Sequence, residues 1–202
     1  MPKEWDGIIS KKINRKFSRP LARFLAKYPK ITPNQISVAS FAIGCLSGIS
    51  FFFHQPMLGG ILAQFSSILD GVDGDLAVLT NRISSFGGFF DSVLDRYADV
   101  IILSGMSCSI LIPFPSLEVL LIVFAALFGS LMVSYSRALI ESNLKIVFRS
   151  GFSGYAANRD VRLFIIMICG ILNQVFIALL ILAVITNLVI IKRTYDSKKL
   201  EV

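Results

Sequence analysis

The chain has 202 residues, of which 54% are hydrophobic and 16% are charged, and its formal net charge is +7. Its mean hydropathy of +0.72 argues against a soluble domain and is typical of a polytopic membrane protein. In such a protein, an excess of Lys and Arg indicates contact with anionic lipid at the cytoplasmic face rather than with nucleic acid.

The N-terminal segment predicts an amphipathic helix on the membrane surface. Residues 2–30 contain nine Lys and Arg, and their apolar side chains recur near helical spacing. Pro20 is expected to bend this helix or to split it in two. We therefore divide the chain into an interfacial helix over residues 1–31 and a membrane domain over residues 32–202. An ordinary soluble amphipathic helix is the alternative, which the membrane span that follows disfavours.

Six apolar segments come next, and a helix of ~20 apolar residues is long enough to cross a bilayer. The first begins where Thr32 can cap a helix and Pro33 can occupy its first position. The fifth segment is short, so we expect its helix to start near Asn158. The pattern predicts an all-α integral membrane protein with six transmembrane helices preceded by an amphipathic juxtamembrane helix. The predicted spans are 33–53, 57–79, 84–112, 117–141, 161–172 and 175–191, and the basic residues 192–199 are expected to form a tail after the last span.

The distribution of charge predicts the orientation of these helices. Six spans place both termini on one side of the membrane, and every Lys and Arg lies toward that side. Basic loops are retained in the cytoplasm. We therefore expect a multi-pass protein of the cell (cytoplasmic) membrane with both termini cytoplasmic.

Four acids lie in the second and third spans, toward their cytoplasmic ends: Asp70, Asp73, Asp91 and Asp95. Spacings of three and four residues put each pair on one helix face, and the short turn at 80–83 makes the two helices antiparallel neighbours. A carboxylate in hydrocarbon costs at least ~2.5 kcal/mol, so acids there indicate function. Four converging carboxylates would repel one another unless cations lay between them. The sequence therefore predicts a metal site.

The ligand types indicate which metal and which chemistry. Oxygen ligands alone favour Mg²⁺, Mn²⁺ or Ca²⁺; the three cysteines lie in apolar runs and His54 lies at the far membrane face, so neither zinc nor iron is indicated. Hard cations held by a few carboxylates keep positions for phosphate oxygens. These features predict phosphoryl transfer at a membrane surface. A cation transporter is the competing class, because intramembrane acids also mark ion pathways.

Arginines on the same side are suited to bind a second anionic group. The alternative is that they only anchor the protein at the cytoplasmic face. The candidate acceptor-binding residues are Arg137, Arg149, Arg159 and Arg162.

The acids and the small residues beside them form one spaced pattern. It reads Asp70-x2-Asp73-Gly74-x2-Ala77 and then Gly87-x3-Asp91-x3-Asp95. This pattern resembles the signature of the CDP-alcohol phosphotransferase (CDP-alcohol phosphatidyltransferase) family, whose usual form is D-x2-D-G-x2-A-R-x8-G-x3-D-x3-D. The stretches Thr32-Pro33-Asn34 and Ser134-Tyr135-Ser136-Arg137-Ala138 are also similar to that family, so the resemblance covers nearly all of the chain after the first helix.

The resemblance implies an enzyme that passes the alcohol-phosphate moiety of a CDP-alcohol to an acceptor hydroxyl and releases CMP. It implies that Asp70, Asp73 and Asp91 bind one or two Mg²⁺ or Mn²⁺ ions. Asp95 would complete the metal site and act as the general base. The implied CDP-binding residues are Asn34, Asp73, Gly74, Ala77, Arg82 and Gly87. A homodimer is also expected for a member of this family.

The substrates stay open at this point. The donor is CDP-diacylglycerol or a CDP-polyol such as CDP-inositol. The arginines favour a phosphorylated polyol as acceptor, such as inositol phosphate or glycerol phosphate. Val78 stands where the family has Arg, so a catalytically impaired CDP-binding relative is a further alternative. Arg82, one turn beyond Val78, either reaches the same phosphate or is a plain loop cation.

Two further acids accompany the motif. Asp75 is rotated off the face that carries Asp70, and we expect it to meet a basic neighbour or water. Asp99 lies one turn beyond Asp95, where it supports the metal ligands or pairs with a cation. Arg96 and Arg137 are candidate structural partners of these acids.

Overall fold

The computed structural model describes residues 13–144, 154 and 156–200. In these ranges the chain forms seven α-helices, and a short π-helical turn at Ile140–Leu144 continues the fifth. Arg149 lies outside the described residues. The helices are α1 Arg15–Leu25, α2 Pro33–Phe52, α3 Pro56–Leu79, α4 Ser85–Leu111, α5 Leu117–Leu139, α6 Arg159–Ile171 and α7 Val175–Leu200.

The amphipathic helix is continuous where it is described. Pro20 lies inside α1, so the prediction that it splits the helix is wrong for these residues. Pro20 and Lys16 are both exposed. A proline at position 20 removes the amide that would donate to the carbonyl of Lys16. Because both residues are exposed, this carbonyl lies on the exposed side of α1 and is not buried without a partner.

The six later helices begin and end close to the predicted bounds, with one exception. The last helix was predicted to end at residue 191, whereas α7 continues to Leu200. Its basic end is stabilised as a helix because Lys192 Nζ lies 3.5 Å from Asp196 Oδ1, one turn away, and because Arg193 is buried against α5. The charges that suggested a tail are thus helical side chains.

Within the described ranges, three helical segments are long and apolar enough to cross a membrane: Pro33–Phe52, Leu117–Asn143 and Val175–Lys198. The other helices of the bundle differ from them in composition or length. The aspartates lie on α3 and α4, and α6 has only 13 residues. The fold is therefore all-helical with three clear membrane-spanning candidates.

Local signals set the helix ends near the acids. Thr32 caps α2, as predicted, in a capping box with Gln35, and Pro33 is the first helical residue. Ser84 caps α4 by accepting a hydrogen bond from the amide of Gly87. Asn81 takes a φ of 53° in the turn between α3 and α4, a conformation that Asn adopts more readily than most residues.

Contacts between neighbouring helices hold the bundle together. The helix α2 packs against both α3 and α4, α3 also contacts α1 and α6, and α5 contacts α7. A Cβ atom built on Gly105 of α4 would lie 2.0 Å from the carbonyl oxygen of Gly48 in α2. Only glycine permits that approach. The ends of α2, α3, α4, α5 and α6 that carry polar side chains consequently meet at one end of the bundle.

Candidate active site

Three carboxylates meet where α3 and α4 face each other. Oxygen atoms of Asp70, Asp91 and Asp95 all lie within 4.8 Å of one another. Asp70 comes from the second half of α3 and the other two from the first half of α4, as the antiparallel arrangement predicts. An all-carboxylate set at this separation fits a hard divalent cation such as Mg²⁺ or Mn²⁺.

The fourth acid of the pattern, Asp73, takes a different position. Its side chain is buried and accepts a hydrogen bond from the Ser37 hydroxyl of α2. Asp73 therefore lies beside the group of three rather than within it. The sequence pattern did not indicate Ser37, because that contact depends on how α2 crosses α3.

Arg159, at the start of α6, lies against this cluster. Its Nη1 atom is 3.0 Å from Asp95 and 3.5 Å from Asp70, and its Nε atom is 3.2 Å from Asp99. The guanidinium therefore offsets part of the repulsion between the carboxylates. The sequence makes Arg159 a candidate for binding an acceptor phosphate, and in the structure it also lies among the acids.

Asp99 is surrounded by arginines and is only 4% exposed. It forms ion pairs with Arg162 and Arg159, and Arg96 Nε lies 3.8 Å away. Arg162 also donates to the carbonyl oxygen of Ala157 at 2.9 Å. Asp99 thus anchors the start of α6 to α4. Arg96 and Arg137 were the candidate partners of Asp75 and Asp99. Arg96 contacts Asp95 and Asp99, whereas Arg137 pairs with Glu141.

An open cavity of about 600 Å³ lies at this end of the bundle. Apart from Asp95, which belongs to the carboxylate cluster, every described candidate residue lines it. The structure therefore brings the two predicted groups, acids and arginines, to one cavity. The lining candidates are Asn34, Asp70, Asp73, Gly74, Ala77, Arg82, Gly87, Asp91, Arg137, Arg159 and Arg162.

Small residues keep one wall of this cavity open. A Cβ atom on Gly87 would lie 3.0 Å from Ser84 Oγ and 3.3 Å from Asn34 Oδ1, so a side chain there would crowd the α4 cap and the start of α2. A Cβ atom on Gly88 would meet nothing within 4 Å. The first turn of α4 consequently presents backbone to the cavity.

The position of the missing family arginine is also visible. Val78 lines the cavity and is 47% exposed. Arg82 lines it too, but its guanidinium donates to the carbonyl oxygens of Pro29 and Ile31, at 2.9 and 3.3 Å. Arg82 therefore ties the loop between α1 and α2 to the end of α3.

A second group of cations lies at the C-terminal end of α5. Arg137 Nε is 2.8 Å from Glu141, and its Nη1 is 3.5 Å from Asn158 Oδ1. Arg193 of α7 is buried there and donates to the carbonyl oxygen of Val133 and to Ser136 Oγ. Arg193 was not a predicted site residue, because the sequence pattern places it in a basic C-terminal tail.

Comparison with known proteins identifies relatives for this arrangement. A model of the CDP-alcohol phosphatidyltransferase family matches residues 30–194. A bifunctional IPC transferase and DIPP synthase from Aquifex aeolicus is 41% identical over 195 residues, which cover 94% of this chain and 44% of the relative. An archaetidylinositol phosphate synthase from Pyrococcus horikoshii is 36% identical and covers 93% of this chain and 96% of its own. The chain thus spans less than half of the first relative and nearly all of the second.

Solved structures agree on the fold. The crystal structure of Mycobacterium tuberculosis phosphatidylinositol phosphate synthase (PgsA1) with CDP-DAG bound superposes with a TM-score of 0.73 at 19% identity, covering 90% of this chain and 94% of that one. The resemblance inferred from the spaced aspartates is confirmed by the family model and by these relatives. The chain belongs to the CDP-alcohol phosphatidyltransferase family.

Proposed function

We propose that this protein is a membrane enzyme that transfers the alcohol-phosphate moiety of a CDP-alcohol to an acceptor hydroxyl, with release of CMP. The observation that carries the proposal is the cluster of Asp70, Asp91 and Asp95 beside a cavity that also receives arginines from α5 and α6. Family membership favours this transferase over a cation transporter.

The acceptor is a phosphorylated polyol, and inositol phosphate is the first choice. The Pyrococcus relative and the Mycobacterium structure are both named as synthases of inositol phosphate lipids. Arg137 and Arg159 supply positive charge at the cavity wall, which suits an anionic acceptor. Arg162 is buried against Asp99, so we assign it to holding that acid rather than to the acceptor. Glycerol phosphate is the second choice of acceptor, and both a lipid and a polyol donor stay in the proposal.

The carboxylates divide the work of the reaction. Asp70, Asp91 and Asp95, with Asp73 beside them, would hold Mg²⁺ or Mn²⁺, which would neutralise the charge of the donor pyrophosphate. Asp95 would take the proton of the acceptor hydroxyl. The oxygen of that hydroxyl would at the same time bond to the phosphorus that carries the donor alcohol. The bond from that phosphorus to the bridging oxygen then breaks, and CMP leaves. The chain's contribution is largely positioning and electrostatics.

The donor nucleotide would lie along the open wall of the cavity. Asn34, Gly74, Ala77 and Gly87 line that wall, and their small or amide side chains leave room for cytidine. Because Arg82 donates to two carbonyl oxygens, we assign it to holding the loop before α2 rather than to the phosphate.

We further propose that α2 to α7 all cross the membrane, that residues 1–31 lie on its surface, and that both termini and the cavity face the cytoplasm. The support is that the sequence places every Lys and Arg in segments on one side of the six predicted spans, as is expected of loops retained in the cytoplasm. Reporter fusions at each loop would test this topology. We also propose a homodimer, which light scattering of the detergent-solubilised protein would test.

A CMP-release assay on purified protein tests the function. CDP-diacylglycerol and CDP-inositol would serve as donors, with inositol phosphate, glycerol phosphate and serine as acceptors, each with and without Mg²⁺ or Mn²⁺. We expect metal-dependent release with one phosphorylated acceptor. Asp95→Asn should abolish it, whereas Glu118→Gln, at the opposite end of the bundle, should leave it unchanged. Binding of CDP without release under every pairing would instead identify a catalytically impaired relative.

A further inference from the structure

The amphipathic helix α1 packs against α3 on a different face from the one that carries the metal-binding acids. Arg15 forms an ion pair with one oxygen of Asp75, and the Ser18 hydroxyl donates to the other oxygen at 3.2 Å. Arg15 Nη1 also lies 3.5 Å from the carbonyl oxygen of Gly71. As expected from the sequence, Asp75 meets a basic neighbour, but that neighbour comes from a helix 60 residues away.

A second set of polar contacts joins the start of α1 to α3, one to two turns before Gly71. Asn14 donates to Ser67 Oγ at 3.0 Å and accepts from Gln64 Nε2 at 2.7 Å. Asn14 and Gln64 are both buried. Since these contacts lie on the same α3 face as Gly71 and Asp75, they set the register between the two helices.

The face of α3 that contacts α1 and the face of α3 that carries the metal-binding acids belong to the same helical turns. Gln64, Gly71 and Asp75 recur at spacings of seven and four residues and share one face, whereas Asp70 and Asp73 share another. Arg15 contacts the peptide carbonyl of Gly71, which lies between the two acids in sequence. A rotation of this turn that would displace Asp70 from Asp91 and Asp95 would therefore break the contacts to α1.

We propose that Arg15 is a positioning residue which, through Asp75 and the Gly71 carbonyl, holds the turn of α3 that presents Asp70 and Asp73 to the metal. The inference rests on the proposed function, because it assigns these acids to metal binding. It makes the docking of α1 a condition for a correctly shaped carboxylate cluster.

The sign of the effect distinguishes positioning from simple electrostatics. Removal of a cation near a group of carboxylates would by itself strengthen the binding of Mn²⁺. Loss of a side chain that orients metal ligands instead weakens binding, typically by about 10- to 100-fold. Arg15→Met should therefore weaken Mn²⁺ binding by about tenfold or more, against the electrostatic trend.

The test measures Mn²⁺ binding to the detergent-solubilised protein by electron paramagnetic resonance, which needs no turnover. Arg15→Met is compared with Lys16→Met, which removes an exposed cation from the next position of the same helix. We expect weaker binding only in Arg15→Met, and partial recovery in Arg15→Lys. Equal affinity in Arg15→Met and the wild type would overturn the proposal.

The double variant Arg15→Met with Asp75→Asn distinguishes positioning by Arg15 from simple neutralisation of Asp75. It also provides a test if Arg15→Met folds poorly. If Arg15 merely neutralises a half-buried carboxylate, removal of both charges restores wild-type Mn²⁺ affinity, which would overturn the proposal. If Arg15 positions the turn, the double variant stays weak. A wild-type protein that binds Mn²⁺ but releases no CMP with any substrate pair would contradict the proposed function alone.

Discussion

Asp99 is the acid whose loss should cost the most stability, because three arginines share it. Arg162 is 3% exposed and pairs with Asp99; Arg159 Nε lies 3.2 Å away and Arg96 Nε lies 3.8 Å away. Asp99→Asn keeps the size of the side chain but removes its charge. Arg162 would then be a buried guanidinium whose counterion is gone.

The size of the effect follows from burial. Removal of one partner of a buried ion pair costs about 3–5 kcal/mol, compared with about 0–1 kcal/mol for an exposed pair. For a chain of this length, 1 kcal/mol shifts the melting temperature by roughly 2–4 °C. We therefore expect Asp99→Asn to melt about 6–20 °C below the wild type.

A thiol-reactive dye in detergent provides the assay, because Cys169 is buried in the core and becomes reactive on unfolding. Asp196→Asn, which alters the exposed pair with Lys192, is the matched control and should melt within about 4 °C of the wild type. Asp99→Asn combined with Arg162→Met should recover part of the loss. A melting temperature for Asp99→Asn equal to that of the control would refute the assignment of Asp99 as an anchor.

Three further substitutions test the packing and the cavity. Gly105→Ala would press a Cβ atom against the carbonyl oxygen of Gly48, so it should destabilise the fold by about 1–3 kcal/mol in a melting experiment. Ser37→Ala removes the hydroxyl that donates to Asp73 and should lower Mn²⁺ affinity or turnover by about 10- to 100-fold. Val78→Arg restores the family residue at the cavity wall and should lower the KM for the CDP donor about tenfold.

Each of these substitutions has a control and an opposing result. Gly88→Ala, whose Cβ atom meets nothing, should not lower the melting temperature; an equal loss in both glycine variants would contradict the packing account. Ser50→Ala, whose hydroxyl donates to Leu46 at the far end of α2, should retain Mn²⁺ affinity. Leu79→Arg adds the same charge one position on, and an equal fall in KM there would show a nonspecific effect.

The sequence predicted the helices and the convergence of the acids because both depend on local spacing. The apolar segments set helix positions to within a few residues, and Thr32 capped α2 as expected. The spacings of three and four residues, with the short turn at 80–83, were sufficient to predict that Asp70 lies close to Asp91 and Asp95. Such short-range patterns do not depend on tertiary context.

The contacts that tune the cluster depended on packing between distant segments. Arg159 lies 60 residues from Asp99 in sequence, and its position among the acids follows from the packing of α6 on α3. Burial of Ser37 against Asp73 follows from the crossing of α2 and α3. The C-terminal charges were misread because Arg193 finds buried oxygen acceptors on α5 that no local pattern indicates.

Phosphorus-31 NMR of the complete reaction tests the central claim most directly, because it distinguishes transfer from hydrolysis. Wild-type protein, Mn²⁺, the CDP-alcohol donor and inositol phosphate should yield CMP and an equal amount of a new phosphodiester. Omission of the acceptor, or Asp95→Asn, should leave the donor intact. Release of CMP together with a phosphomonoester of the donor alcohol, independent of the acceptor, would contradict the assignment of this site as a transferase.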